Sequence, residues 1–116
     1  MQGNVDIKRG TTPTLPITIF MPFENVKHID FIFKRGLEEN YPTLLEVAYD
    51  FPETPVEKGE NSFIVNVKLS EEETRKLKAG KAYMDTRIIF NDGTIPKAEI
   101  IEIEVGETLF KGDSDK

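Results

Sequence analysis

The chain has no cysteine, no tryptophan and a single histidine. Without cysteine there can be no disulfide, thiol nucleophile or thiolate metal site, although this assigns no redox compartment. Without tryptophan, one of the two usual aromatic platforms of sugar-binding sandwiches is missing. Positive charge is also short: 15 Lys and Arg stand against 21 Asp and Glu, for a net charge of −6. An acidic chain repels a phosphate backbone, so nucleic acid is not an expected partner. Lys8-Arg9 and Lys34-Arg35 are pairs, too small to make a basic patch. No apolar run approaches the roughly 18 residues of a membrane-spanning helix, so no membrane is expected as a partner. The segment Met1 to Asp6 lacks the basic and apolar regions of a signal peptide. The chain therefore reads as made and kept in a cytoplasm unless an assembly carries it elsewhere.

Chemistry-bearing motifs are equally scarce. There is no phosphate-cradling glycine loop, zinc pattern or nucleophile elbow. His28 sits on the polar face of a strand, and a general base needs an orienting partner that nothing in the sequence signals. It reads as a surface residue. Asp85 and Arg87 share one strand side with Tyr83; they could form a polar ladder or pair with the neighbouring strand, and a solvated face explains them better than a site does. Asp50, Glu53, Glu57 and Glu60 make one loop acidic, but calcium needs about six converging oxygens and the spacing fits no calcium loop. No catalytic residue, cofactor or metal is expected, and the chain does not read as an enzyme.

What is present is a strong folding signal from Ser62 to Val105. Phe63, Val65, Val67 and Leu69 alternate with Ile64, Asn66 and Lys68, the period of a half-buried strand. Ser70 and Glu73 have the spacing of a capping box, with Glu71 and Glu72 at the positive helix end and Arg75, Lys76 and Lys78 near the negative one. This predicts a helix over 71–79, pinned to the sheet by Leu77 and closed by a left-handed Gly80. Tyr83 then stands where a tyrosine corner would bond back to the preceding turn, and equally where a half-buried strand tyrosine would stand. Asp92-Gly93 predicts a tight turn and an antiparallel last pair of strands.

The remaining strands are read over Val5–Ile7, Leu15–Ile19, Val26–Lys34 and Leu45–Tyr49, then 62–69, 82–90 and 95–105. Pro16 inside the second argues for an edge strand or a bulge. Pro96 marks the last as irregular at its start. Residues 51–61 read as a loop by every local rule, with Phe51, Glu53, Glu57 and Glu60 as a candidate interaction surface. The expected fold is all-β: an immunoglobulin-like sandwich of about seven strands with one short helix between the fifth and sixth, and a small barrel as the alternative. One domain over 1–110 and a disordered tail over 111–116 complete the expectation.

Two stretches carry a resemblance. One is Ile7-Lys8-Arg9-Gly10-Thr11-Thr12-Pro13-Thr14-Leu15. The other runs from Leu69-Ser70-Glu71-Glu72-Glu73-Thr74 through Leu77-Lys78-Ala79-Gly80-Lys81-Ala82-Tyr83 to Asp92-Gly93-Thr94 and Ile101–Leu109. Together, over about half the chain, they resemble small proteins encoded in phages and prophages of Gram-positive gut bacteria. The order is also similar to the N-terminal immunoglobulin-like domain of phage baseplate upper proteins. The matching positions are turn, cap and corner, so no functional residue is carried over. The resemblance implies a non-enzymatic structural or tail-assembly accessory protein, made in a bacterial cytoplasm and able to enter a virion. Its partners would be other phage structural proteins or further copies of itself. The rival reading is a small module that binds a glycan or other ligand through the 51–61 loop.

Overall fold

The computed structural model describes residues 5–38 and 40–107. The expected tail at 111–116 lies outside the described residues. Among the described residues eight strands form: β1 (Val5–Lys8), β2 (Thr14–Ile19), β3 (Val26–Lys34), β4 (Thr43–Asp50), β5 (Glu57–Lys58), β6 (Phe63–Lys68), β7 (Gly80–Phe90) and β8 (Ile101–Gly106). A 3-10 turn covers Phe23–Asn25, and one helix, α1, covers Glu71–Lys76. One sheet has the order β1-β8-β7-β3-β4 and the other β2-β6-β5. The chain crosses between sheets at β1→β2, β2→β3, β4→β5 and β6→β7. This is the strand arrangement of an immunoglobulin-like sandwich, with β4 added beside β3 as in the variable type.

Period-two alternation builds the core. Ile29, Phe31 and Phe33 of β3, Ala82, Met84 and Ile88 of β7, and Ile101, Ile103 and Val105 of β8 face Leu15, Ile17 and Ile19 of β2 and Phe63, Val65 and Val67 of β6. All are buried, so the apolar face of each sheet covers the other. Phe23, Phe51 and Phe63 close one end of this layer with edge-to-face contacts, their ring centroids 5.3–5.9 Å apart.

Pro16 lies on an edge strand, since β2 pairs only with β6. The Leu69 amide donates to the Pro13 carbonyl (3.1 Å). In the observed register this turns odd-numbered residues of β2 toward β6 and Pro16 outward, where its missing N–H costs no ladder bond.

Four boundaries differ from the sequence reading. The helix ends at Lys76, not 79, and Leu77 leaves it extended (φ −77°, ψ 139°). Leu77 is fully buried, and stopping the helix aims its side chain into the core. Gly80 (φ 115°) does not close the helix; it opens β7. The 51–61 segment is not all loop, because Glu57 and Lys58 pair with Ile64 and Phe63, which raises the strand count from the expected seven to eight. The last strand begins at Ile101, not at 95. Pro96 lies in the stretch before it, where a residue without an N–H cannot extend the ladder. β7 and β8 are nonetheless antiparallel, from Gly80↔Val105 to Met84↔Ile101. Gly93 takes the positive φ (88°) that the turn after β7 requires.

Candidate functional site

The most concentrated polar chemistry lies on the outer face of the five-stranded sheet. Alternation along β3 puts His28 and Asp30 on that face, and pairing places Arg87 of β7 opposite Asp30 and Asp50 of β4 opposite His28. His28 Nδ1 is 2.6 Å from Asp50 Oδ1, and Nε2 is 2.8 Å from Asp30 Oδ1. Arg87 donates through Nε (2.9 Å) and Nη2 to the other oxygen of Asp30. The hydrogen bonds to Asp50 and then Asp30 raise the His28 pKa above its ordinary 6.5. Burial pushes the Asp30 carboxyl up, but the bonds from Arg87 and His28 outweigh it and hold it below the usual value. An imidazolium that donates both protons to carboxylates has no nitrogen left to accept one. The cluster ties three strands together.

The structure thus gives His28 the partners that the sequence did not signal. Asp30, two residues along the same strand face, could have been noticed. Asp50 could not, because its place depends on the β3–β4 register. Arg87 takes the cross-strand pairing that its position on β7 suggested. Asp85 does not join it and bonds the backbone amide of Thr86 (2.9 Å).

The 51–61 segment does not gather a site. Phe51 is a correction: it is a core residue, 6% exposed, and not part of an interaction loop. Its ring is needed between Phe23 and Phe63. Glu53, Glu57 and Glu60 are exposed. Glu57 makes a long contact with the Asn66 side chain (3.5 Å). An aromatic platform is not assembled beside them: Tyr49 is half-buried with its hydroxyl against the Lys68 amide (3.4 Å), and Tyr41 packs on Gly36. Among the described residues no group of three or more His, Cys, Asp or Glu side chains could hold a metal ion.

Exposed apolar surface collects where the β2 edge meets the irregular 94–100 segment. A groove of about 310 Å³ lies there, floored by Ile19, Ile88 and Ile101 and walled by Met21, Thr86 and Ala98. Phe20 at its rim is 76% exposed, and Ile95 on the neighbouring segment is 57% exposed. Because β8 starts late, this end of the sandwich seam is covered by irregular chain and not by a strand.

The residues singled out for structure fall into two groups. Ser70 accepts from the Glu73 amide (3.1 Å) and Glu73 accepts from the Ser70 amide (2.8 Å), so both halves of the capping box are made. Asp92 Oδ1 accepts from the Thr94 amide (3.0 Å) and hydroxyl (2.6 Å), locking the turn at Gly93. Tyr83 makes no corner: it faces the outer side of the sheet, half-buried beside Ile32 and Leu37 in a pocket of about 140 Å³. Thr74, which sequence reasoning passed over, ties the helix down instead. It is fully buried, and its hydroxyl accepts from the Gly10 amide (3.0 Å). The same oxygen lies 2.9 Å from the Thr11 carbonyl and 3.0 Å from that of Glu71, one of which receives its proton.

No family model matches the chain, and no curated protein matches it either. Among solved structures it is similar to a voltage-gated sodium channel (VGSC) β subunit studied for multimeric cell-adhesive interactions, at 13% identity over 90% of each chain, with a TM-score of 0.42. It is also similar to the extracellular domain of the β4 subunit of that channel, described as a parallel homodimer with a role in cell–cell adhesion. That likeness is 16% identity over 91% of this chain and 92% of the other, with a TM-score of 0.38.

Proposed function

We propose that this protein is a non-enzymatic structural or tail-assembly accessory protein of a phage or prophage, acting through contacts with other protein subunits. It is made in a bacterial cytoplasm and carried into a virion by assembly. Its partners are neighbouring phage structural proteins or further copies of itself. The resemblance of the 7–15 and 69–109 stretches supports the phage setting. The single observation that carries the mode of action is the apolar groove with Phe20 exposed at its rim. An exposed phenylalanine beside an apolar groove is a surface that a partner chain can bury. The His28 cluster supports a non-enzymatic reading, because its carboxylates occupy both ring nitrogens.

The test is the DNA on either side of the gene. Flanking capsid, tail-tube or tape-measure genes are expected, and the purified product of one of them should bind this chain and lose binding with Phe20→Asp. Flanking metabolic or transport genes would overturn the phage setting. Undiminished binding by Phe20→Asp would remove the groove from the mechanism.

A further inference from the structure

A two-sheet sandwich has four outer edges, and three of them here are blunted. β1 is four residues long with Asp6 and Lys8 in it. β2 turns Pro16 outward and is flanked by the 94–100 segment. β5 has only two residues. β4 is different: eight residues, no proline, no lysine, and no strand paired with it but β3. The Phe51 amide donates to the Lys27 carbonyl (2.9 Å). In the β3–β4 register this turns odd-numbered residues of β4 toward β3. The N–H and C=O groups of Glu46 and Ala48, both exposed, therefore point away from the sheet, and no described backbone group meets them. Such a row is a template for one more strand.

The side chains along that edge say what kind of strand. Glu46, Ala48 and Asp50 alternate on the outer face, and Asp50 is 77% exposed beyond its bond to His28. Val47 and Tyr49 alternate on the inner side, half-buried at a seam that the two-residue β5 leaves short of cover. A second copy does not suit the edge. β4 carries Glu46 and Asp50 and no basic residue of its own, so antiparallel β4–β4 pairing would bring acid near acid.

We infer that the β4 edge is a strand-addition site for an extended segment of another protein. That segment carries basic residues at alternate outward positions facing Glu46 and Asp50, with apolar residues between them facing Val47 and Tyr49. This extends the protein-contact reading to a second surface, and its test does not involve the groove. Phe20→Asp leaves β4 untouched, so failure of either reading leaves the other standing.

The probe is a synthetic peptide of sequence Lys-Val-Thr-Ile-Arg-Val-Lys, titrated into the isotope-labelled chain. Saturable amide shifts centred on Glu46 and Ala48, with slowed hydrogen exchange at those two amides, are the expected result. Replacing the basic residues of the peptide by glutamate should weaken binding at least about tenfold at low salt. Glu46→Lys should remove most of that preference. Ala48→Pro removes an outward donor without touching the β3 ladder, and should abolish binding while melting changes little. Shifts centred elsewhere, no saturable shift, or equal binding of the acidic peptide would overturn the inference. Hydrogen exchange in the free variants separates lost binding from lost folding.

Discussion

The Thr74 hydroxyl accepts a hydrogen bond from the Gly10 amide at 3.0 Å, across 64 positions of chain. It joins the turn after β1 to the helix. Gly10 belongs to the turn between β1 and β2, and Thr74 is the only buried residue of α1. Arg9 adds to the joint by donating to the Arg75 carbonyl (2.9 Å) and pairing with Glu107 (2.9 Å). A short helix cannot hold itself together, so this joint and Leu77 keep it in place.

Thr74→Val keeps the shape and removes the hydroxyl. It leaves the Gly10 amide without its partner and should destabilise the fold by about 1–3 kcal/mol in chemical denaturation. Thr74→Ser should restore most of the loss. Equal stability of the valine variant would show that water replaces the bond.

Leu77 and Tyr83 should separate clearly. Leu77 is fully buried, and Leu77→Ala should cost about 2–4 kcal/mol. Tyr83 lines an open pocket on the outer face, and Tyr83→Ala should cost distinctly less. Equal costs in urea titration would return Tyr83 to a corner role.

The single histidine can be followed by NMR without assignment. Its pKa should lie above 6.5, because Asp50 and Asp30 bond the charged ring. Asp50→Asn should bring the midpoint down toward the ordinary value. A folded-state pKa raised above the unfolded one gives stability that is complete below the unfolded pKa and is lost as pH rises through the folded pKa. The depressed Asp30 works oppositely: its contribution is present above its unfolded pKa and is lost as pH falls through the folded one. Stability from the cluster should therefore peak in mildly acidic solution, and His28→Gln should flatten that peak.

Phe51→Ala should destabilise the protein by about 3–5 kcal/mol, as a core aromatic does. Glu53→Gln and Glu60→Gln, on exposed positions of the same segment, should leave melting nearly unchanged. A tolerant Phe51→Ala would argue that its ring is not needed between Phe23 and Phe63.

Much of the fold was legible because it rests on local rules. Alternation located the inward residues of β3 and β6, Ser70 and Glu73 announced the cap, and Pro16 announced an edge. What could not be read depends on contacts between distant residues. Leu77 ends the helix early because the core it enters is built by other strands. Phe51 looks like a loop residue beside Pro52, and only the positions of Phe23 and Phe63 make it core. The partners of His28 are set by register, and a shift of one residue would have turned Asp50 to the other face. Of the candidate surfaces, neither the groove nor the open β4 edge is written in any motif. Both arise where a strand starts late or a sheet stops short.

The first and last described strands lie side by side and run in the same direction, Val5 beside Ile103 and Lys8 beside Gly106. The chain therefore enters this pair at one end and leaves it at the other. A pull between the two ends loads the β1–β8 bonds together, along the strands, and cannot peel them one at a time. The Arg9 amide, bonded to the Gly106 carbonyl at 2.9 Å, shares that load. Built into a larger assembly through its ends, the domain would bear tension as a clamp.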